Sequence, residues 1–251
     1  MTTTKEVQMY LELLLPRFSH SSIQKILELY PLSEFHDLHP PKNFTPPTPP
    51  KMNMTSVNGT TNSTEAPTGL RPLPTAQFRR AVQITTDLFM VCIPLHFGKI
   101  LQSSGKGDIY YYHHNRSIAE NQHPLFSLVQ HGAEIPYVIG NISAFSNHPP
   151  GGECCIPGEE DKILQHTQSG SWGSFTALGK PSLEGKTTLQ GWKEADFEDE
   201  ESYGIYVVGS PFQGGAGKGG NKGAREEIKK RRWKEKCQFW NSPEIVKELG
   251  W

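Results

Sequence analysis

Apolar residues near the amino terminus recur at three- and four-residue spacing, the pattern of an amphipathic helix. The repeat spans residues 5–30 and is interrupted by Pro16. Because proline disrupts a helix interior, the pattern predicts two helices, the second capped by Ser21 or Ser22 and stopped by Pro31. The apolar positions that carry this prediction are Leu11, Leu14, Leu15, Ile23, Ile26, Leu27 and Tyr30.

The hydrophobic pattern resumes at Gln77 and then alternates between helical and strand-like segments. Aromatic and β-branched runs predict strands at 108–113 and 203–208. Helical periodicity predicts helices at 161–179 and, in a basic segment, at 225–249. A helical face also joins Phe78, Val82, Thr85, Phe89 and Met90. This mixed order, without internal repeats, predicts an α/β chain.

The stretch 38–75 between these patterns carries no recognisable element. Six prolines lie between Pro40 and Pro50, and a Thr/Asn/Ser-rich run follows to Thr68. Such a composition cannot bury enough apolar surface to offset the entropy of ordering it. We therefore expect a disordered insertion at 38–75.

Overall composition excludes two classes of partner. Lysine and arginine total 25 against 26 acidic residues, a net charge of −1, so there is no global footprint for nucleic acid. The charged side chains of the basic run 218–236 are expected to face solvent. Trp233, Phe239 and Trp240 on the same predicted helix are expected to pack against the core. No consecutive run approaches the roughly 18 apolar residues of a membrane span, so none is expected.

Six Asn-x-Ser/Thr acceptors for N-glycosylation occur in the chain. They are Asn43, Asn53, Asn58, Asn62, Asn115 and Asn141. They favour a secretory origin, although four lie in the Thr/Asn-rich stretch, whose composition alone could produce them. A secretory origin would place the leader outside these 251 residues, because the amino terminus has no basic-then-apolar signal.

Cysteine and histidine spacing does not favour a metal site. The four cysteines, Cys92, Cys154, Cys155 and Cys237, form no Cys-x-x-Cys pair. His113 and His114 are adjacent on a predicted strand, so their side chains point to opposite faces and cannot easily share an ion. We expect no metal.

The glycine-rich stretch contains Gly215-x-Gly217-x-x-Gly220, the spacing of a dinucleotide-binding turn. No strand follows the next helix to complete the βαβ unit, so a flexible loop is the preferred interpretation. Lys218 is followed by glycine rather than serine or threonine, which excludes a P-loop. We expect no cofactor. A Gly-x-Ser-x-Gly nucleophile elbow is also absent from the sequence.

The segment from Ser127 to Gly140, S-L-V-Q-H-G-A-E-I-P-Y-V-I-G, resembles the catalytic-histidine segment of type-B carboxylesterases. That family includes the cholinesterases and many secreted fungal lipases and esterases. The resemblance implies that His131 is the triad histidine and that Glu134 helps to order its loop. The alternatives are a histidine in a turn without a role and a salt-bridged surface glutamate.

Other segments resemble the family in the same order: the helix at 78–94, the strand at 108–116, the segment 171–181 and the final helix at 233–241. The resemblance covers residues 5–35 and 76–251. It pairs Cys92, at the end of the first of these helices, with Cys237, which precedes Phe-Trp in the last. Two free thiols are the alternative, and Cys154 and Cys155 have no counterpart.

The fold implied is the C-terminal half of an α/β-hydrolase, with the last strands of the central sheet and their flanking helices. Residues 1–37 would be a helical segment, 38–75 the insertion, and 76–251 the part with the histidine loop. In such enzymes histidine takes the proton of a serine nucleophile and returns it to the leaving alcohol. Intact relatives of this kind are secreted and hydrolyse carboxylic esters.

The serine elbow and the oxyanion loop of the family are missing here, and the acid is expected to precede residue 1. Glu6, Glu28 and Asp87 lie outside the family's acid context, so none is assigned. We therefore expect no esterase activity from this chain alone, and association with an N-terminal half or another chain. The alternatives are a non-catalytic, cholinesterase-like interaction module and an unstable truncated gene product.

Overall fold

A computed structural model describes residues 1–37, 74–105, 107–118, 129, 131–145, 157–209, 213–214 and 222–250. Its α-helices are α1 (Thr4–Leu14), α2 (His20–Leu29), α3 (Ala76–Thr86), α4 (Ile93–Ser103), α5 (Ile135–Val138), α6 (Glu159–Leu178), α7 (Lys222–Arg231), α8 (Trp233–Trp240) and α9 (Pro243–Leu249). Its strands are β1 (Tyr112–His114) and β2 (Tyr206–Val208). A π-helical segment, Asp87–Cys92, joins α3 to α4, and 3₁₀ turns lie at Leu32–Glu34 and Ile142–Phe145.

The two amino-terminal helices form as the periodicity predicts, with Pro16 between them. Helix α1 begins with a capping box in which Thr3 and Glu6 satisfy each other's backbone amides. Helix α2 begins two or three residues earlier than predicted, because the side chain of Ser19 accepts a hydrogen bond from the Ser22 amide. Most of the predicted insertion at 38–75 lies outside the described residues.

The helix that runs from Ala76 to Ser103 through the π-helical segment is long and apolar enough, by length and composition alone, to cross a membrane. The sequence predicts no such segment, because polar residues such as Asp87 and His96 interrupt its apolar runs. Core helices of globular proteins meet the same criterion. Its buried positions, among them Ile84, Leu88 and Leu95, belong to the larger hydrophobic cluster. The face that contains Phe78 and Met90 instead points outward: Phe78 is 43% exposed and Met90 is 52% exposed.

The two strands pair in parallel, with Tyr112 opposite Tyr206 and His114 opposite Val208. Both are shorter than predicted. Strand β2 starts late because Tyr203 and Gly204 have φ angles of 50° and 61°, which belong to a turn rather than a strand. Within the described residues the chain is therefore mostly helical, with one small parallel sheet.

Both faces of the sheet are covered, as is usual for parallel strands. On one side, Val207 joins a cluster built from α1 to α4 and α7 to α9. On the other side, Tyr206 and Val208 join a smaller cluster with Tyr137 of α5 and Leu164 of α6. The alternation of side chains along β2 thus links two hydrophobic cores through one strand.

The basic segment predicted as one helix is divided into α7, α8 and α9. Arg232, at the first break, has a φ of 56° and forms ion pairs with Glu34 and Glu235. Trp233 and Trp240 of α8 are almost completely buried, as the aromatic spacing suggested. Helix α8 is thereby tied to the π-helical segment through Trp233 and Asp87, and to Tyr30 at the end of α2 through Trp240.

Candidate functional site

His131 lies at the start of an exposed turn that leads directly into α5. Gly132 has a φ of 81°, a left-handed conformation that favours glycine. The Ile135 amide donates to the Gly132 carbonyl at 3.1 Å, and the Val138 amide donates to the Glu134 carbonyl at 2.9 Å. The turn and the short helix therefore form one hydrogen-bonded unit.

This unit packs at the carboxyl end of β1. His114 is the last residue of the strand, and its ring centroid lies 5.5 Å from that of Tyr137 in α5. In open α/β sheets, ligands bind beyond the carboxyl ends of the strands. Tyr137 of this unit therefore lies beside the last residue of β1, at the end of the strand where open α/β sheets bind ligands.

Asp161, in the first turn of α6, holds α5 in place. Its Oδ1 atom accepts hydrogen bonds from Tyr137 Oη and Arg116 Nε, each at 2.8 Å. Its Oδ2 atom accepts from the Gly158 amide at 2.9 Å. Asp161 is 3% exposed and Tyr137 is fully buried, so the cluster is shielded from water.

The protonation states of Asp161 and Tyr137 match the hydrogen bond between them. Burial raises the pKa of Asp161, but hydrogen bonds from Arg116, Tyr137 and Gly158 outweigh it and hold that pKa below its usual value. Burial, followed by the hydrogen bond to Asp161, raises the pKa of Tyr137. The carboxylate stays ionised and the phenol stays protonated, which is the combination that their short contact requires.

The carboxylates considered from the sequence lie elsewhere. Glu6 caps α1, and Asp87 is fully buried against Gln83, Trp233 and Lys236. Glu28 is exposed on α2. Glu134 is the residue before α5, and its charge tends to raise the pKa of His114 although burial lowers that pKa overall. In the described part of the chain, no carboxylate forms a salt bridge with His131.

His113 and His114 point to opposite faces of the sheet. The His113 ring lies 4.9 Å from the Trp233 ring, on the side away from His114, and burial lowers the pKa of His113 to about 3. Among the described residues, no three His, Cys, Asp or Glu side chains are grouped to hold a metal. Cys154, Cys155 and the glycine motif at 215–220 lie outside the described residues.

The predicted disulfide is present. Cys92, at the end of the π-helical segment, is bonded to Cys237 in α8, with 4.9 Å between their Cα atoms and a sequence separation of 145. Both cysteines are buried. The bond joins two helices whose faces already pack in the larger cluster.

Sequence reasoning missed the cluster formed by Arg116, Tyr137 and Asp161. The partners of Asp161 are 45 and 24 residues away, beyond the reach of any periodic pattern. The only local signal is the acidic run Glu159–Asp161 after a glycine, which is typical of a helix start.

Comparison with known proteins confirms the family resemblance of the sequence. The profile of the carboxylesterase family matches residues 41–240. A secreted lipase of Arthroderma benhamiae is 31% identical over 248 residues, which cover 99% of this chain. The chain spans 37% of the length of that lipase. No solved structure matches significantly. The chain belongs to the carboxylesterase family.

Proposed function

We propose that this chain is the C-terminal part of a type-B carboxylesterase-like serine hydrolase and that His131 is its general base. Residues 1–37 and 76–251 would form the corresponding part of an α/β-hydrolase, interrupted by the insertion at 38–75. The observation that carries the proposal is that His131 is exposed in a turn leading into α5, which packs through Tyr137 against the last residue of β1, within a segment that resembles the family's histidine loop.

The chemistry requires a nucleophile, acid–base groups and hydrogen-bond donors for the oxyanion. The imidazole of His131 would accept the proton of a serine hydroxyl as that oxygen attacks an ester carbonyl, and would then protonate the leaving alcohol. The serine, the acid that orients the imidazole and the oxyanion donors are proposed to come from outside these 251 residues. No cofactor takes part in this scheme.

Two observations support secretion as the setting. The fungal relative is a secreted lipase. The Cys92–Cys237 disulfide is of the kind that forms and persists in oxidising compartments. We propose that the protein acts outside the cell on small carboxylic esters.

The test combines the 251-residue chain with the remaining part of the fungal lipase, expressed together or fused, and measures hydrolysis of p-nitrophenyl esters. We expect background rates from the chain alone and turnover from the combination. His131→Ala should lower that turnover by about 10³-fold or more, because the serine loses its base. His166→Ala is the matched control, since His166 is exposed on α6, and it should leave the rate unchanged.

Turnover that survives His131→Ala would contradict the proposal. A combination that folds and binds but shows no hydrolysis would favour the interaction module. A chain that unfolds without a cooperative thermal transition would favour a truncated product that does not fold stably.

A further inference from the structure

Three separate segments converge on the carboxylate of Asp161. Arg116 follows β1, Tyr137 lies in α5, and Gly158 precedes α6. The contact with Gly158 is an ordinary helix cap and uses Oδ2. The contacts with Arg116 and Tyr137 use Oδ1 and serve no helix end. Capping therefore explains only one of these three hydrogen bonds.

The hydrogen bond from Tyr137 to Asp161 connects α6 to the His131 turn. Tyr137 is fully buried and belongs to the unit that begins at Gly132, so its hydroxyl ties the turn to α6. A second tie lies beyond α5, where the Ile142 amide donates to Gln165 Oε1 at 3.0 Å. The turn is thus held from its carboxyl side at two points on α6.

Arg116 supplies the positive charge beside Asp161 and connects that carboxylate to the end of β1. Its Nε atom faces Asp161 Oδ1, and its Nη1 atom lies 3.6 Å from Glu160. A buried carboxylate without a cation would be strongly disfavoured, so Arg116 allows Asp161 to remain charged where Tyr137 needs an acceptor. Because Arg116 follows β1, the same carboxylate sets α5 relative to the end of the strand.

We propose that Asp161, acting through the Tyr137 hydroxyl and supported by Arg116, is a positioning residue that holds the His131 turn at the carboxyl end of β1. This inference rests on the proposed function of His131. Asp161 touches no reacting atom. Its role is to keep the imidazole in one place, since small displacements of a catalytic base reduce rates strongly.

The first experiment measures amide hydrogen exchange in the intact 251-residue chain. Tyr137→Phe removes one hydroxyl and keeps the ring, whereas Asp161→Asn removes the charge and nearly keeps the shape. In both variants we expect amides at 135–141 to exchange about tenfold faster, the effect of losing one hydrogen bond. Exchange in α1 should not change.

Tyr206→Phe is the matched control. The Tyr206 hydroxyl donates to the Gln190 carbonyl at 3.2 Å within the same hydrophobic cluster, and Gln190 belongs to neither α5 nor α6. It should leave exchange at 135–141 unaltered. Unchanged exchange in Tyr137→Phe and Asp161→Asn would overturn the inference. If Asp161→Asn fails to fold, Tyr137→Phe decides alone.

The second experiment uses the combination of this chain with the rest of the fungal lipase. A positioning role predicts that Tyr137→Phe lowers kcat by about tenfold or more while KM stays within about twofold, because orientation rather than substrate binding is lost. A loss of folded protein alone would lower the amount of active enzyme and leave the rate per titrated active site unchanged. An unchanged kcat per active site in a His131-dependent enzyme would overturn the inference.

The two experiments separate this inference from the proposed function. Absence of His131-dependent hydrolysis would defeat the proposed function, while the exchange measurement still decides whether Asp161 holds the turn. Accelerated exchange together with an unchanged kcat per active site would show that Asp161 anchors α5 without positioning the base, and would overturn the inference.

Discussion

At the scale of single residues, identical sequence motifs stand in different surroundings. Asn115 and Asn141 are both glycosylation acceptors. Asn115 continues β1, its amide donates to the Val208 carbonyl at 2.7 Å, and the next two residues are buried. Asn141 is exposed after α5, and its side-chain oxygen accepts from the Ser143 hydroxyl at 2.8 Å. The other four acceptors lie outside the described residues.

We expect a glycan at Asn141 and none at Asn115 when the chain is secreted from a yeast host. A branched sugar on Asn115 would have to pass a paired strand and buried neighbours, whereas Asn141 faces solvent. Peptide mass spectrometry after enzymatic deglycosylation in heavy-oxygen water measures the occupancy of each site. Asn141→Gln should remove that glycan, and an occupied Asn115 would refute the expectation.

At the scale of elements, α6 shows how one helix can have two kinds of glycine. Gly170 faces the loop after the helix so closely that an added Cβ would lie 1.9 Å from the Thr187 carbonyl oxygen. An added Cβ at Gly173, one turn away, would meet nothing within 4 Å. The first glycine allows close packing, while the second merely weakens the helix.

The two glycines therefore predict substitutions of opposite sign. Gly170→Ala should destabilise the chain by about 1–3 kcal/mol, because the backbone of the loop must move away. Gly173→Ala should stabilise it by about 0.5–1 kcal/mol, because alanine is the better helix former. Urea unfolding followed by circular dichroism measures both. Equal effects of the two substitutions would show that the loop does not pack on α6 as described.

At the scale of the whole molecule, the disulfide closes the larger of the two cores. It joins the long helix through α3 and α4 to α8, while β2 connects this core to the smaller cluster around α5 and α6. Loss of the bond should therefore weaken the larger core without removing any contact of the Asp161 cluster.

The double variant Cys92→Ala, Cys237→Ala should lose about 4–5 kcal/mol of stability, the chain-entropy value for so long a loop. We expect the midpoint of urea unfolding to fall accordingly. Wild-type chain treated with reductant is the control and should unfold at a similar midpoint. An unchanged midpoint in both would mean that the bond adds no stability.

Much of the architecture follows from local pattern. Residue spacing predicted α1, α2 and α6, and the family resemblance of the helices at 78–94 and 233–241 implied the disulfide partners. These succeed because helical periodicity and short motifs depend on neighbours a few residues apart. The predicted start of β2 was wrong because the backbone turns at Tyr203 and Gly204. The prediction of a single basic helix was wrong because the backbone turns at Arg232.

The sequence by itself determined the order of elements, the family resemblance and His131 as the residue of interest. Only the tertiary structure decided which face of the long helix is buried and that Asp161 joins Arg116 to Tyr137. The reason is physical: periodicity shows that a helix has an apolar face, but packing selects the face that is buried. Contacts across 24 or 45 residues exist only after the chain has folded.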